Sequence, residues 1–189
     1  MTKLKNNIIC FIIVISCILC IPKISVSAYK KELKANLAAC KFKCTQDFLS
    51  TIGLILPRSG AASWMSNSLP FTLNWGYRAS GSATAYCDTL TDFNQEFIGV
   101  TLHYSNSVAG KIDPEKNDWN YAFIYANLRY PSTMFSAATF AHEFGHVMGL
   151  SHSNNEPSTI MCQEVHGRTA QIPSSVDLAR LAIKYRKRK

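Results

Sequence analysis

Glycosylation sequons of the Asn-x-Ser/Thr type, internal repeats and low-complexity linkers are all absent from this 189-residue chain. Glycine and proline are few, 9 and 7, which excludes a collagen-like or Pro/Gly-rich polymer. Charged residues make up only 17% against 47% hydrophobic, so a core can form and disorder throughout is excluded. The length fits one domain with short extensions. No apolar run reaches the ~20 residues that a membrane-spanning helix needs. Closely spaced CxxC pairs are also missing, which argues against a four-cysteine zinc site.

What the chain does have in excess is positive charge, +8 with a pI near 9.2. Part of it sits at the start. Lys3 and Lys5 precede an almost unbroken apolar run, Ile8 to Ile21, followed by Pro22 and the small-residue stretch Ser25-Val26-Ser27-Ala28. This is the pattern of a secretory signal peptide cut after Ala28, and the run is short for an anchor. Val14-Ile15-Ser16-Cys17 resembles a lipobox, but the apolar Ile18-Leu19 that follows argues against a lipoprotein. Once residues 1–28 are removed, 17 basic and 12 acidic groups remain, and six of the basic ones lie in the last ten residues. The body, 29–179, is then close to neutral and the tail is basic. No nucleic-acid module signature accompanies the charge. The chain is therefore expected to be secreted, without stable membrane insertion and without a nucleic-acid partner.

Of seven cysteines, Cys10, Cys17 and Cys20 leave with the signal. Cys40, Cys44, Cys87 and Cys162 remain. An even count in an exported chain allows up to two disulfides in three pairings.

Leu33, Leu37, Cys40, Cys44 and Phe48 recur at helical spacing and predict an amphipathic helix over 30–50. Leu69, Phe71, Leu73 and Trp75 alternate, the mark of a half-buried strand, and 97–104 reads as a second strand. The nearly apolar run 121–128 reads as a central strand. A helix capped by Ser132 or Thr133 is expected to run through Met134–Val147 and stop at Gly149. A last helix starts at Ser174 or Ser175, with Leu178, Leu181, Ala182 and Tyr185 on one face.

Three of the five histidines fall within His142-Glu143-Phe144-Gly145-His146-Val147-Met148-Gly149-Leu150-Ser151-His152. On a helix, His142 and His146 share a face and can share a metal ion. Glu143 lies beside them, placed to take a proton from water rather than to bind metal. Gly149 lets the chain leave the helix, and His152 returns as a third ligand. Three protein ligands leave one position open on a tetrahedral zinc, the catalytic pattern. Chance would place so long a pattern in a chain of this composition with probability on the order of 10⁻⁵.

These residues resemble the extended zinc motif of the metzincin metallopeptidases, and Ser153 after the third histidine resembles its matrixin branch. The resemblance implies a methionine turn beneath the zinc, which Ser158-Thr159-Ile160-Met161 fits. Gln163 stands where astacins and serralysins place a tyrosine, so a tyrosine switch is not supported. The final helix is also similar to the matrixin C-terminal helix. Two parts of the family pattern are missing. The histidine/aspartate cluster of the structural zinc is absent, and His103 alone cannot supply it. Leu56-Pro57-Arg58-Ser59-Gly60 is only faintly similar to the cysteine-switch segment, with Ser59 where a thiolate is needed. A scheme with Glu164 as third ligand explains less than Gly149 and His152 do. Glu164 and His166 read as loop residues lining a cleft.

The expected fold is α+β and metzincin-like: a twisted mixed sheet, an active-site helix, and a small C-terminal subdomain with the Met161 turn and the last helix. The expected organisation is signal 1–28, a helical extension 29–68 and a zinc peptidase domain 69–189. Its implied function is hydrolysis of a protein or peptide substrate by a zinc endopeptidase, with Glu143 as general base and the loop 154–168 walling the pocket for the residue after the cut. The alternative is a non-enzymatic cationic surface-binding protein whose zinc is structural.

Overall fold

The computed structural model describes residues 28–186. Most of the signal segment and Lys187–Lys189 lie outside the described residues. Six strands form one mixed sheet: β1 (Cys40–Cys44), β2 (Trp75–Tyr77), β3 (Ala85–Leu90), β4 (Gly99–Tyr104), β5 (Lys111–Ile112) and β6 (Tyr121–Asn127). Their order is β2-β1-β3-β6-β4-β5. The first four in that order are mutually parallel, while β4 runs antiparallel to both β6 and β5. The helices are α1 (Gln46–Thr51), α2 (Ile55–Ala62), α3 (Ala137–Val147) and α4 (Ser175–Tyr185). No helix among the described residues is long and apolar enough to cross a membrane. The fold is α+β with a mixed sheet.

Strand β6 is interior, and its alternation decides which side of the sheet the helices take. Ala122, Ile124 and Ala126 are buried, while Tyr121, Phe123 and Tyr125 are half-buried on the opposite face. On that outer face the rings of Tyr86 and Phe123, and of Tyr104 and Tyr121, stack in pairs. Register carries the inner face to the neighbours, because paired residues on adjacent strands point the same way. Gly99, Thr101 and His103 of β4 pair with Ala126, Ile124 and Ala122. These three thereby face α3. On the other side of the sheet's centre, Phe42 of β1 and Trp75 of β2 both pack on Phe144 of α3.

The helix expected over 30–50 is not there. Residues 37–39 form a short 3-10 turn, 40–44 become strand β1, and only 46–51 are helical. Cys-Lys-Phe-Lys-Cys also alternates, with Cys40, Phe42 and Cys44 buried and the lysines less so. Pairing on both edges, with β2 and β3, selected that period over the helical one. The stretch 29–68 is thus not a helical extension: β1 lies within the sheet, and α2 packs on α3. Gly60 of α2 marks how close the two helices come, since a Cβ there would sit 2.7 Å from the Ala141 amide nitrogen and 2.8 Å from the Ala137 carbonyl.

Two element boundaries moved. The alternating run 69–75 buries Leu69, Leu73 and Trp75, but ladder pairing begins only at Trp75. The helix before Val147 does not start at Ser132 or Thr133. Those residues form a 3-10 turn, and Ser136 caps α3 in a reciprocal pair with Thr139. Ser174 caps α4 in the same way with Asp177.

All four cysteines of residues 28–186 are buried thiols, so the structure contains none of the expected disulfides. Cys162 lies in a loop with its sulfur near backbone carbonyls of that same region. Cys44 and Cys87, by contrast, are register partners on β1 and β3.

The two ends of the described chain meet behind α3. Tyr29 N donates to Gly149 O, and Lys184 Nζ donates to the carbonyls of Tyr29 and Lys31. The Tyr185 hydroxyl donates to Met148 O and accepts from Leu33 N.

Candidate metal centre and substrate cleft

Helix α3 is built to be held from outside. Ten of its eleven residues are buried. The last carbonyls of any helix lack intrahelical partners. Here His103 Nε2 donates to His146 O at 2.9 Å, Trp119 Nε1 to Val147 O at 2.9 Å, and Tyr185 to Met148 O at 2.8 Å. Gly149 then turns the chain at φ +92°, a left-handed value that glycine adopts without a Cβ penalty. Any side chain there would also meet Lys184 and Trp119.

That exit brings His152 back to the helix. Nε2 of His146 lies 3.1 Å from Nε2 of His142 and 3.1 Å from Nε2 of His152. The other ring nitrogens of the two helix histidines are engaged by carbonyls. His142 Nδ1 donates to Ile160 O at 2.7 Å and His146 Nδ1 to Leu150 O at 2.7 Å. Each bond fixes the proton on Nδ1 and leaves the Nε2 lone pair pointing into the cluster. The Tyr29 hydroxyl approaches His146 Nδ1 to 3.2 Å. Burial pushes His142 down to about 3 and His146 well below its ordinary value; His152 is lowered for the same reason. All three are therefore neutral at pH 7, the form in which an imidazole can hold a metal.

Three converging lone pairs with no proton between them repel one another unless a cation sits among them. Tetrahedral zinc with Zn–N bonds of about 2.0–2.1 Å would space its nitrogens about 3.3–3.4 Å apart. The observed spacing is close to that, so the donor set fits zinc.

Met161 lies beneath. It is fully buried, with its sulfur against the α3 backbone at Gly145, between the two helix histidines. Met161 O accepts from Ser153 N at 2.9 Å, tying this turn to the residue after His152. Asp177 of α4 holds the turn from the other side by accepting from Ile160 N at 2.9 Å.

Glu143 points to the sheet side. Its Oε2 accepts from Thr101 Oγ1 at 2.7 Å, and Gly99 passes against its carboxyl. Burial raises Glu143 to about 7, opposed by the Thr101 hydrogen bond and the charge of Arg168. A cavity of ≈ 140 Å³ opens beside His142 and Glu143; its other walls include Ile98, Gln163, Glu164 and Arg168. Glu164 lines this cleft, whereas His166 is exposed outside it. His103 is not with the ligands; it is a buried cap on α3, lowered to about 4 by burial. The sequence carried no sign of Thr101 or Tyr29 at the site, because each arrives from a distant segment; for Arg168 the sign was only that its loop, 154–168, was expected to wall a pocket. The only hint for Thr101 was that its segment reads as a strand.

A fold of this kind with a three-histidine zinc site beside a buried carboxylate defines a zinc metallopeptidase class. The family model described as Matrixin matches residues 83–181, more than half of the sequence. The chain belongs to the matrixin family and is a metallopeptidase by that membership. No curated protein matches its sequence. Among solved structures it is similar to high choriolytic enzyme 1, a hatching enzyme zinc-protease from Oryzias latipes (Medaka fish). Identity is 11%, the match covers 86% of this chain and 96% of that one, and the TM-score is 0.44.

Proposed function

We propose that the protein is a secreted zinc endopeptidase in which His142, His146 and His152 hold the metal, Met161 supports them from below and Glu143 is the general base. The carrying observation is that Glu143, buried and near neutrality, lines the same open cavity as His142. Zinc held by these three histidines would supply a Lewis acid for the scissile carbonyl and would lower the pKa of a water toward ~7. Glu143 takes a proton from the attacking water and passes it to the leaving amine. Thr101 keeps one carboxyl oxygen oriented through its hydroxyl. Strand β4 pairs with β6 along its whole length but with β5 only at His103 and Tyr104. Among the described residues, the outer edge of Gly99–Leu102 is unpaired, and it leads to the cavity. An extended peptide can add to that edge by main-chain hydrogen bonds, which favours cleavage within a chain.

Exposure of His152 favours this reading over a structural zinc, which is closed to solvent. Secretion rests on the pattern of residues 1–28. A cut after Ala28 removes that residue's bridge to Leu150 and keeps the Tyr29 N to Gly149 O bond. In an oxidising compartment the register pair Cys44 and Cys87 is the pairing best placed to form.

The test is a peptide library incubated with zinc-loaded protein, with and without chelator, alongside Glu143→Gln. Internal cuts that vanish with chelator are expected, and the variant should keep its zinc and fold while turnover falls by roughly 10² or more. Near-normal turnover in the variant would give the base role to another group.

A further inference from the structure

We propose that Arg168 makes this cleft select substrates with a carboxylate side chain immediately after the cleaved bond, an inference that rests on the peptidase reading above. The Arg168 side chain is only 5% exposed, yet it lines the cavity that contains His142 and Glu143. Its one hydrogen bond among the described residues runs from Nη2 to Glu164 Oε1. A guanidinium carries five N–H donors in a planar fork, so Nη1 and Nε remain available to a ligand.

Glu164 is ion-paired with one edge of this guanidinium and leaves the rest of its fork to the cavity. Glu164 is half exposed, where water screens its charge. Glu96 lines the cavity but is exposed at its rim. Glu143 is turned toward Thr101. Among the described residues that line the cavity, Arg168 supplies the lone Lys or Arg cation.

Occupants differ in what they do to that guanidinium. An apolar side chain displaces water from its N–H groups and gives nothing back. A lysine adds a like charge. An amide matches only part of the fork. A glutamate or aspartate carboxylate matches it with two charge-assisted hydrogen bonds. Sites that present buried polar groups reject analogues lacking the matching group more strongly than apolar pockets do.

The test varies the residue after the cut as Glu, Asp, Gln, Leu or Lys in one peptide frame. The wild-type enzyme is expected to show kcat/KM for Glu or Asp roughly ten- to a hundredfold above Gln and Leu, the scale of one charged hydrogen-bonded contact. In Arg168→Gln the Glu-to-Gln ratio should fall toward one. A wild-type preference for Leu or Lys, or a ratio that Arg168→Gln leaves unchanged, overturns the proposal. If that variant fails to fold, the wild-type series alone decides. Calorimetry on metal-free protein adds a readout independent of turnover, using product-like peptides that begin with Glu or Gln. Tighter binding of the Glu peptide without cleavage of any peptide supports the pocket assignment and sinks the peptidase reading. Cleavage without acid preference does the reverse.

Discussion

Helices α3 and α4 are each eleven residues long, and each begins with a serine in a reciprocal cap. They are otherwise opposites. α3 buries ten of its residues and carries two histidines, a glycine and a threonine, none of them strong helix formers. α4 buries four residues on one stripe, half-buries five more and exposes Ser175 and Ile183. The difference separates two ways of making a helix. α4 is specified by its own amphipathic pattern. α3 is specified by its surroundings: the side chains of Trp64, His103, Trp119 and Tyr185, from four other segments, fasten carbonyls of the helix and its C-terminal cap. A metal centre on α3 inherits that rigidity, and also its dependence on distant residues.

Acid should separate the two helices most strongly. His142 and His103 stay neutral in the folded protein down to about 3 and about 4 because they are buried. In the unfolded chain both accept protons near 6.5. Folded values are depressed, so their stabilising effect is complete above ~6.5 and is lost as pH falls toward the folded values. Glu143, raised to about 7, acts in the opposite sense over this window, but the two histidines outweigh it, so metal-free protein followed by circular dichroism should still lose thermal stability from pH 6.5 to 4. A flat midpoint over that range would mean these histidines are hydrated.

Gly60→Ala comes next. The added Cβ runs into α3 backbone at Ala137 and Ala141, which cannot give way as a flexible side chain can. Overpacking of this kind costs about 3 kcal/mol, which denaturant titration will read directly. A loss under about 1 kcal/mol would mean that α2 and α3 are less closely packed than described.

The smallest of the three is Asp177→Ala on α4. It leaves Ile160 N buried without its acceptor and breaks the Ser174 cap, at about 2 kcal/mol. Because Ile160 O orients His142, zinc affinity should fall as well. Unchanged zinc affinity, measured by chelator competition, would uncouple α4 from the metal site.

How legible each part was in the sequence follows the same division. α4, β6 and the histidine cluster were readable because their patterns are local: an apolar stripe, an apolar run, a fixed spacing. Residues 40–44 were not, because Cys40 and Cys44 satisfy helical and strand spacing equally, and only the partners β2 and β3 break the tie. Thr101 reaches Glu143 across 42 positions, and Tyr29 reaches His146 across 117. No periodicity within either segment records such a meeting. Arg168 stood in a loop, where the chain offers no rule for which way a side chain turns.

The closure of Leu33 onto Tyr185, 152 positions apart, also sets an order on biosynthesis. A ribosome adds roughly 5–20 residues per second, so these 152 positions take about eight to thirty seconds to make. The histidine helix emerges well before residues 184 and 185, which secure the turn after it and the strap behind it. Through that interval the nascent chain holds the three histidines without the latch behind them, and residues made 152 positions later lock the first described ones in place.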